Sequence, residues 1–332
     1  MIKVGVIRGG ISGEYEVSLK TGSNVLSHLR SDKLGKTYKA IDILIDKEGI
    51  WHINGKPVAM VDVFHSVDVI FNALHGDFGE DGKVQQMLDQ WSIPYTGSGA
   101  FASALGYNKV LTKEQFAMFG INTPSHIVVP KYNEENGSIK SYSKNIAKQI
   151  HSQIAPPWII KPLSGGSSVG MKMARTYPEL IDAFLEGVNK DVDVLVEEMI
   201  EGKEATVGVI NNFRNMKVYV LPSTEIRVHK GKSFFDFEAK YHGKSEEICP
   251  GNFTRSEKLE LERLAALIHT GLNLDHYSRS DFIIHPKKGI YALEVNTLPG
   301  LTDESLIPKM LHAVGADVPS FIDHIIKLAL KK

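Results

Sequence analysis

Residues 277–305, YSRSDFIIHPKKGIYALEVNTLPGLTDES, contain two apolar runs separated by the turn signal PKKG (286–289), and this pattern predicts an antiparallel β-hairpin. With those four residues as the loop, counting outward predicts three cross-strand pairs: His285 with Ile290, Asp281 with Glu294, and Arg279 with Asn296. Side chains alternate between the two faces of a strand, so one face is predicted to be polar and the other apolar. The polar face carries Arg279, Asp281, Glu294 and Asn296. The apolar face carries Phe282, Ile284, Tyr291, Leu293 and Val295.

The polar face places two carboxylates directly opposite each other. Opposed residues have Cβ atoms about 4.5–5.5 Å apart, and like charges at that distance repel unless a cation lies between them. Oxygen ligands alone suit Mg²⁺ or Mn²⁺ better than zinc. The pattern therefore predicts a metal site made by Asp281, Glu294 and Asn296. An alternative stays open, in which Arg279 simply pairs with one acid on a solvated sheet face. A one-residue slip of the register would also separate the set.

The composition is that of an ordinary globular protein. Of its residues, 42% are hydrophobic and 23% are charged. The length of 332 residues is enough for two or three domains with their own cores. The formal net charge of −1 gives no field that would recruit nucleic acid or an anionic membrane. No apolar run approaches the roughly 18 residues of a membrane span. The start, MIKVGVIRGG, predicts a strand rather than a signal peptide. With one cysteine, Cys249, no intrachain disulfide can form, and we expect a cytoplasmic protein.

Two strand–turn–helix units lie in the first 100 residues, and they predict a doubly wound α/β region. Strand 2–7 runs into RGGISGE, and strand 67–74 runs into HGDFGEDG. The first turn is not GxGxxG, so a dinucleotide site is a weak prediction. Ligands of such sheets bind at the carboxyl ends of the strands, where Glu14 and His75 are expected to lie. The alternatives are that Glu14 stabilises a helix N-terminus and that His75 is structural. The tight connection 93–99 suggests the first domain boundary.

The next region contains two lysines and a loop of small residues. Lys109 lies near a break between two helices, and an apolar strand ending at Lys161 runs into LSGGSSVG (163–170). This loop is not a Walker A motif, because no GK[ST] opens a helix. Its small residues leave backbone N–H groups that can surround phosphates, and Lys161 adds a positive charge. A flexible hairpin loop is the alternative.

Two further stretches could complete a nucleotide site. The backbone of residues 197–200 could face a base edge, and Glu204 could hold ribose hydroxyls, although a solvated turn is the alternative. The segment FFDFEAKY (234–241) predicts a loop over a site, with Lys240 and Tyr241 pointing inward. An exposed aromatic loop is the alternative there. Together with the lysines, the small-residue loop and the acidic hairpin, these stretches suit nucleotide phosphoryl transfer, with room for two metal ions.

Seven stretches in order resemble D-alanine–D-alanine ligases of the ATP-grasp superfamily, over nearly the whole chain. They are GGISGEYEVS, LHGDFGEDG, IPYTGSGAFASAL, IIKPLSGGSSVGM, FDFEAKY, RSDF and LEVNTLPGLTDESL. The resemblance implies a fold of the α/β and α+β classes, namely an ATP-grasp fold with an N-terminal Rossmann-like domain. The domains implied are residues 1–98 for the Rossmann-like substrate domain, 99–197 for a central subdomain with the Gly/Ser lid, and 198–332 for a C-terminal subdomain with the metal site.

The resemblance also implies roles for individual residues. Its ATP-binding set is Lys109, Lys161, Gly166, Ser168, Glu197, Glu198, Ile200, Glu204 and Lys240, with Glu197 on the adenine side and Glu204 on the ribose side. Two Mg²⁺ or Mn²⁺ ions are implied at Asp281, Glu294 and Asn296. The substrate-binding set is His75, Ser305 and Leu306, the last two for the second carboxylate. The catalytic set is Glu14, Ser167 and Tyr241, which link the N-terminal domain to the lids, and Arg279 and Gly300, which resemble oxyanion donors.

The reaction implied is ATP-dependent joining of two D-alanines through an acyl phosphate, for peptidoglycan precursor synthesis. Partners are then ATP and D-alanine, with neither nucleic acid nor membrane, and a homodimer is one option for the assembly. The chain departs from the family pattern at Asn108, at 163–165 and at 275–278. Tyr241 favours an amine as the second substrate. The alternatives are a ligase of the D-alanine–D-serine or D-alanine–D-lactate type and a nucleotide-binding module without catalysis.

Overall fold

The computed structural model describes residues 1–163, 170–228 and 245–331. Within these ranges the chain forms fifteen strands in three sheets, together with ten α-helices and one short 3₁₀-helix, Glu134–Asn136. Five predicted site residues lie outside the described ranges: Gly166, Ser167, Ser168, Lys240 and Tyr241. The mixture of parallel and antiparallel sheets with helices agrees with the predicted fold class.

The first sheet contains the predicted doubly wound unit. Its strands are β1 (Ile2–Gly9), β2 (Tyr38–Ile45), β3 (Trp51–Ile53), β4 (Lys56–Pro57) and β5 (Val69–Asn72), in the order β4–β3–β2–β1–β5. Strand β1 is parallel to both β2 and β5. The associated helices are α1 (Tyr15–Leu29), α2 (Met60–Ser66) and α3 (Lys83–Gln90). The turn after β1 requires glycine, because Gly9 has a φ of +89° and a Cβ there would lie 2.2 Å from the Ile45 carbonyl oxygen.

The second sheet is antiparallel and has two helices on one face. Its strands are β6 (His126–Val129), β7 (Trp158–Pro162), β8 (Lys172–Ala174) and β9 (Val194–Glu198), in the order β6–β9–β7–β8. The helices are α6 (Ile139–Gln153) and α7 (Tyr177–Leu185). Trp158 of β7 packs with Ile150, Leu180 and Phe184 in the core between them. This core holds β7 and β9 in place, and each strand carries a charged residue toward the cleft described below.

The third sheet is also antiparallel and contains the hairpin. Its strands are β10 (Lys203–Phe213), β11 (Met216–Val220), β12 (Thr224–Val228), β13 (Ser245–Ile248), β14 (Tyr277–His285) and β15 (Gly289–Asn296). Their order is β13–β12–β10–β14–β15, and β11 also pairs with β10. Helix α8 (Arg255–Gly271) covers one face, and α4 (Ala100–Tyr107) and α5 (Lys109–Met118) join the same core through Ala102 and Phe116. The start of the proposed central subdomain thus packs on the third sheet, and the boundaries at residues 98 and 197 stay a proposal.

The last two helices connect the third sheet to the first. Helices α9 (Leu306–Ala313) and α10 (Val318–Ala329) bury Met310 and Phe321 in a core shared with β1, β5 and α1. Polar contacts reinforce this junction, because Asn24 Nδ2 donates to the Leu301 carbonyl at 2.6 Å and Tyr38 donates to Asp323 at 2.8 Å. Among the helices given above, none has the length and apolarity needed to cross a membrane.

Candidate active site

The open end of the β14–β15 hairpin has the predicted register. Two predicted pairs are confirmed there: Asp281 with Glu294, and Arg279 with Asn296. At the turn, His285 pairs with Gly289 rather than with Ile290, so the third prediction is wrong. A β-bulge between the two ends accounts for both results, because β15 contributes one residue there, Leu293, that has no partner in β14.

The bulge changes which side chains of β15 are buried. An extra residue reverses the alternation of faces, so the positions that precede it in β15 change sides. Ile290 and Ala292 are therefore the buried residues, and placing Tyr291 and Leu293 on the apolar face was wrong. Leu293 instead lines a cleft beside Glu294.

That cleft, of about 1640 Å³, lies between the second and third sheets and reaches the carboxyl edge of the first. All fifteen predicted site residues that the structure describes line it. Those from the first two sheets, their loops and helix α5 are Glu14, His75, Lys109, Lys161, Glu197, Glu198 and Ile200. Those from the third sheet and the segment after it are Glu204, Arg279, Asp281, Glu294, Asn296, Gly300, Ser305 and Leu306. The fold thus brings residues from distant parts of the chain to one site.

At the first sheet, His75 is buried and neutral. It lies in the loop that follows β5. Its side chain is 5% exposed, and its Nε2 is 2.9 Å from the Thr21 hydroxyl. Burial lowers the pKa of His75 to about 4, and the charge of Arg279 acts in the same direction. Glu14 lies at the N-terminal end of α1, on the same edge of the sheet. Both positions agree with the expectation for the carboxyl ends of parallel strands.

Glu80 belongs to the same cluster, and the sequence analysis missed it. Its side chain is 7% exposed, and its Oε2 accepts a hydrogen bond from the Gly76 N–H at 2.6 Å. Burial raises the pKa of Glu80 to about 8, and the negative charge of Glu14 adds to the effect. Glu80 therefore keeps its proton near neutral pH. It lies within the quoted motif HGDFGEDG, so an acid in a turn after a buried strand was the signal that could have found it.

In the second sheet, Glu197 lies between two lysines. Its side chain is 5% exposed, with Oε1 at 2.7 Å from Lys113 Nζ and Oε2 at 2.8 Å from Lys161 Nζ. Burial opposes its ionisation, but the two ammonium groups outweigh burial and lower the pKa of Glu197 to about 2. Burial likewise opposes the charge of Lys161, and Glu197 together with Glu294 overcomes it and raises the pKa of Lys161. Both oxygens of Glu197 thus face lysines, and the adenine-side role that the resemblance implies for Glu197 stays a prediction.

Lys113 was also missed by the sequence analysis. It follows Lys109 by four residues in α5, and this spacing places both lysines on one side of the helix. Its side chain is 1% exposed. The spacing of four residues from Lys109 was the signal in the sequence, and it does not show that Lys113 is buried or that it pairs with Glu197.

At the predicted adenine side, residues 198 and 199 form hydrogen bonds with neighbouring segments of the protein. Glu198 Oε1 accepts from the Ser125 N–H at 2.9 Å, and the Glu198 N–H donates to the Ser125 carbonyl at 2.9 Å. The Met199 N–H donates to the Pro157 carbonyl at 2.9 Å. A base edge at this strand end would therefore meet other backbone atoms of residues 198–200. Glu204, at the start of β10 in the third sheet, lines the same cleft.

On the face predicted to bind metal, Arg279 forms an ion pair with Asp281, which was the alternative to a metal site in the sequence analysis. Arg279 Nε and Nη2 donate to the two oxygens of Asp281, each at 2.9 Å, and Thr206 donates to Asp281 Oδ1 at 2.6 Å. A carboxylate has about four lone-pair positions, so these bonds leave room for a cation. In the parts of the chain that the structure describes, no three His, Cys, Asp or Glu side chains form a metal-binding group. The set with Glu294 and the Asn296 amide oxygen supplies oxygen donors only, which fits a hard divalent ion.

The segment after β15 forms a compact turn at the start of α9. A Cβ on Gly300 would lie 2.9 Å from Ser305 Oγ, so the backbone there approaches closely. Ser305 Oγ accepts from the Thr302 N–H at 3.0 Å and bonds its hydroxyl at 2.7 Å. Leu306 is the first residue of α9. A helix N-terminus next to Gly300 favours a negatively charged group.

Two departures from the family pattern have structural explanations. Asn108 caps α5, because its Oδ1 accepts from the N–H groups of Val110 and Leu111 at 3.1 Å each, as an aspartate would. In the segment 275–278, Ser278 bonds the buried His269 at 2.7 Å, and Tyr277 packs edge-on against Phe321 of the shared core. These residues therefore build the junction with the last helices.

Comparisons with known proteins agree with each other. The family model described as D-ala D-ala ligase C-terminus matches residues 116–327, and the one described as D-ala D-ala ligase N-terminus matches residues 56–98. D-alanine–D-alanine ligases from Geotalea uraniireducens and Carboxydothermus hydrogenoformans are 34% and 36% identical, over 99% of this chain and over 96% and 99% of their own lengths. A structure of the VanG D-Ala:D-Ser ligase from Enterococcus faecalis has a TM-score of 0.82 at 29% identity, covering 99% of both chains. A D-alanine–D-alanine ligase from Bacillus anthracis, complexed with ATP, has a TM-score of 0.77 at 27% identity and covers 100% of this chain and 98% of that one.

Proposed function

We propose, for a chain that belongs to the D-alanine–D-alanine ligase family, the activity of an ATP-dependent ligase that joins two D-alanines to D-alanyl-D-alanine, a peptidoglycan precursor. One observation carries the proposal. The same cleft is lined by Lys161 of the second sheet and Lys109 of α5, by carboxylates of the third sheet and by the polar edge of the first. Such a cleft can bind a nucleotide and two small zwitterions side by side.

ATP is proposed to bind between the second and third sheets. The solved ligase from Bacillus anthracis is complexed with ATP, which supports this choice of nucleotide. Lys109 and Lys161 would face the phosphates, and Glu204 the ribose. Two Mg²⁺ or Mn²⁺ ions would be held by Asp281, Glu294 and Asn296, and when bound they would neutralise phosphate charge.

The first D-alanine is proposed to bind near Glu14 and His75. Its carboxylate attacks the γ-phosphorus of ATP, which forms an acyl phosphate and releases ADP. His75, with its pKa near 4, stays neutral in this step, so it adds no positive charge that would repel the substrate ammonium group. The cleft must exclude water at this stage, because an acyl phosphate hydrolyses.

The second D-alanine is proposed to bind at the N-terminus of α9, with its carboxylate near Ser305 and Leu306. Its ammonium group loses a proton, and the resulting amine attacks the acyl carbon. The tetrahedral intermediate then expels phosphate and loses a second proton from nitrogen, which leaves the amide. Arg279 and the Gly300 N–H would donate to the oxyanion, a contact that is stronger in the transition state than in the ground state. Ser167, Tyr241 and Lys240 are proposed lid residues that lie outside the described ranges.

The test is ADP release with ATP and D-alanine, compared with L-alanine, D-serine and D-lactate. We expect ADP formation that depends on D-alanine, with D-alanyl-D-alanine as the product by mass spectrometry. The likeness to the D-Ala:D-Ser ligase makes a mixed dipeptide the second candidate, which an equimolar D-alanine and D-serine assay would detect. If no D-amino or D-hydroxy acid stimulates ADP release, the proposal is wrong.

Three related expectations are part of this proposal. Neither nucleic acid nor a membrane is expected as a partner, in line with the net charge of −1. A location in the cytoplasm suits an enzyme that consumes ATP. A homodimer is one option for the assembly, and analytical ultracentrifugation would test it.

A further inference from the structure

We infer that Lys113, a residue outside the cleft, is a positioning residue that sets the charge of the phosphate site by neutralising Glu197, so that Lys161 offers its full positive charge to the nucleotide. This inference rests on the proposed function, because it concerns the ATP site of that same reaction. It assigns to Lys113 a role in nucleotide affinity without direct contact with the nucleotide.

The geometry separates the two lysines clearly. Lys113 is 1% exposed and does not line the cleft, whereas Lys161 is 14% exposed and does. Besides its bond to Glu197, Lys113 Nζ donates to the Thr123 hydroxyl at 2.8 Å. Glu197 thus binds one lysine that points into the protein and one that points toward the ligand site.

The net charge of the cluster depends on Lys113. A pair of Lys161 and Glu197 alone would be neutral and would attract phosphates weakly. Addition of Lys113 gives the cluster a net charge of about +1 at a site with little solvent, where the interaction with phosphate charge is strong. Burial of a second ammonium group is costly, and a role confined to packing would be met equally well by an apolar side chain. Burial lowers the pKa of Lys113 and Glu197 opposes this, so the inference requires that the ion pair keeps Lys113 charged.

The test measures ADP affinity by calorimetry for wild type, Lys113→Met and the double variant Lys113→Met/Glu197→Gln. The single variant makes the cluster neutral, and the double variant returns it to a net charge of about +1. We expect the single variant to weaken ADP binding about tenfold and the double variant to recover affinity to within about threefold of wild type. Adenosine, which lacks phosphate, should bind all three proteins equally.

A matched control is the exposed ion pair of Lys172 and Glu186, which lies outside the cleft in the same sheet region. Lys172→Met and Lys172→Met/Glu186→Gln should leave ADP affinity unchanged. Thermal melting of every variant identifies loss of folding. If Lys113→Met does not fold, Lys113→Gln takes its place in the comparison, because it removes the same charge and keeps a hydrogen-bond donor beside Glu197 and Thr123.

The inference is overturned if the double variant binds ADP no better than Lys113→Met, or more than about tenfold weaker than wild type. It is also overturned if Lys113→Met binds ADP like wild type, or if adenosine loses affinity in parallel with ADP. The proposed function fails separately, when wild type itself does not bind ADP or binds it without D-alanine-dependent turnover.

Discussion

The two walls of the cleft carry opposite charges. On one side, Lys109 of α5 and Lys161 of the second sheet line the cleft, and Lys113 binds Glu197 from inside the protein. On the third-sheet side and at its edge with the first, Arg279 is the partner of Asp281, with Glu14, Glu80 and Glu294 close to it. The positive wall suits phosphates and the negative wall suits cations, so a nucleotide with its metal ions would match both. The difference suggests that neither wall is built for the stability of the empty protein.

The largest effect should come from removing charge on the negative wall. Glu294→Gln keeps the shape of the side chain but loses a metal-binding charge, and we expect turnover to fall by at least ~10². The measurement is the rate of ADP formation at saturating ATP and D-alanine over a range of Mg²⁺ concentrations. Glu260→Gln, in an exposed pair on α8, is the control and should be unaffected. A near-normal rate for Glu294→Gln would remove this residue from the metal site.

A smaller effect, on stability, should come from Glu80 on the same wall. Its pKa of about 8 lies above the ordinary value of 4.5, so the folded protein binds its proton more tightly than the unfolded chain does. Stability from this group is therefore present below pH 4.5 and is lost as the pH rises through 8. Glu80→Gln has no proton to lose. The melting temperature of the variant minus that of wild type, both measured in EDTA, should therefore increase from pH 5 to pH 8. A constant difference across that range would contradict a protonated Glu80.

The smallest effect should come from the positive wall, at the cap beside Lys109. Asn108→Asp keeps an oxygen that can accept from the Val110 and Leu111 N–H groups, so we expect a change in unfolding free energy below about 0.5 kcal/mol. Asn108→Ala removes the cap and should cost about 1 kcal/mol. Urea unfolding measures both variants. Equal losses in the two would show that the bonds to Val110 and Leu111 do not stabilise α5.

The sequence predicted the negative wall better than the positive one, and the reason is physical. The hairpin pairs arise from local alternation and a turn, which are visible in one short stretch. Even there, the correct pairing of Asp281 with Glu294 came from two errors that cancelled. The turn is one residue tighter than predicted, and the bulge at Leu293 restores the register. A bulge of this kind has no signature in the sequence.

The lysine cluster could not be predicted in the same way. Lys113 and Glu197 lie on a helix and a strand that meet only after the second and third sheets have packed together. Alternation and spacing describe one element at a time, and they do not report which buried charges become neighbours. Thr206, which bonds Asp281 from the adjacent strand, was missed for the same reason. Predicting the strands and helices that carry the site was possible, whereas pairing its charges required the tertiary structure.

The shared core of α9 and α10 with β1 and β5 has a consequence for biosynthesis. Strands β1 and β5 are synthesised well before α9 and α10, yet they pack against these helices in the folded protein. Until α9 and α10 have been synthesised, the first sheet lacks the apolar cover that Met310 and Phe321 provide, and the exposed apolar surface makes the nascent chain prone to aggregation. A premature stop before residue 306 would therefore leave the first sheet without part of its core, and we expect that it would not fold stably.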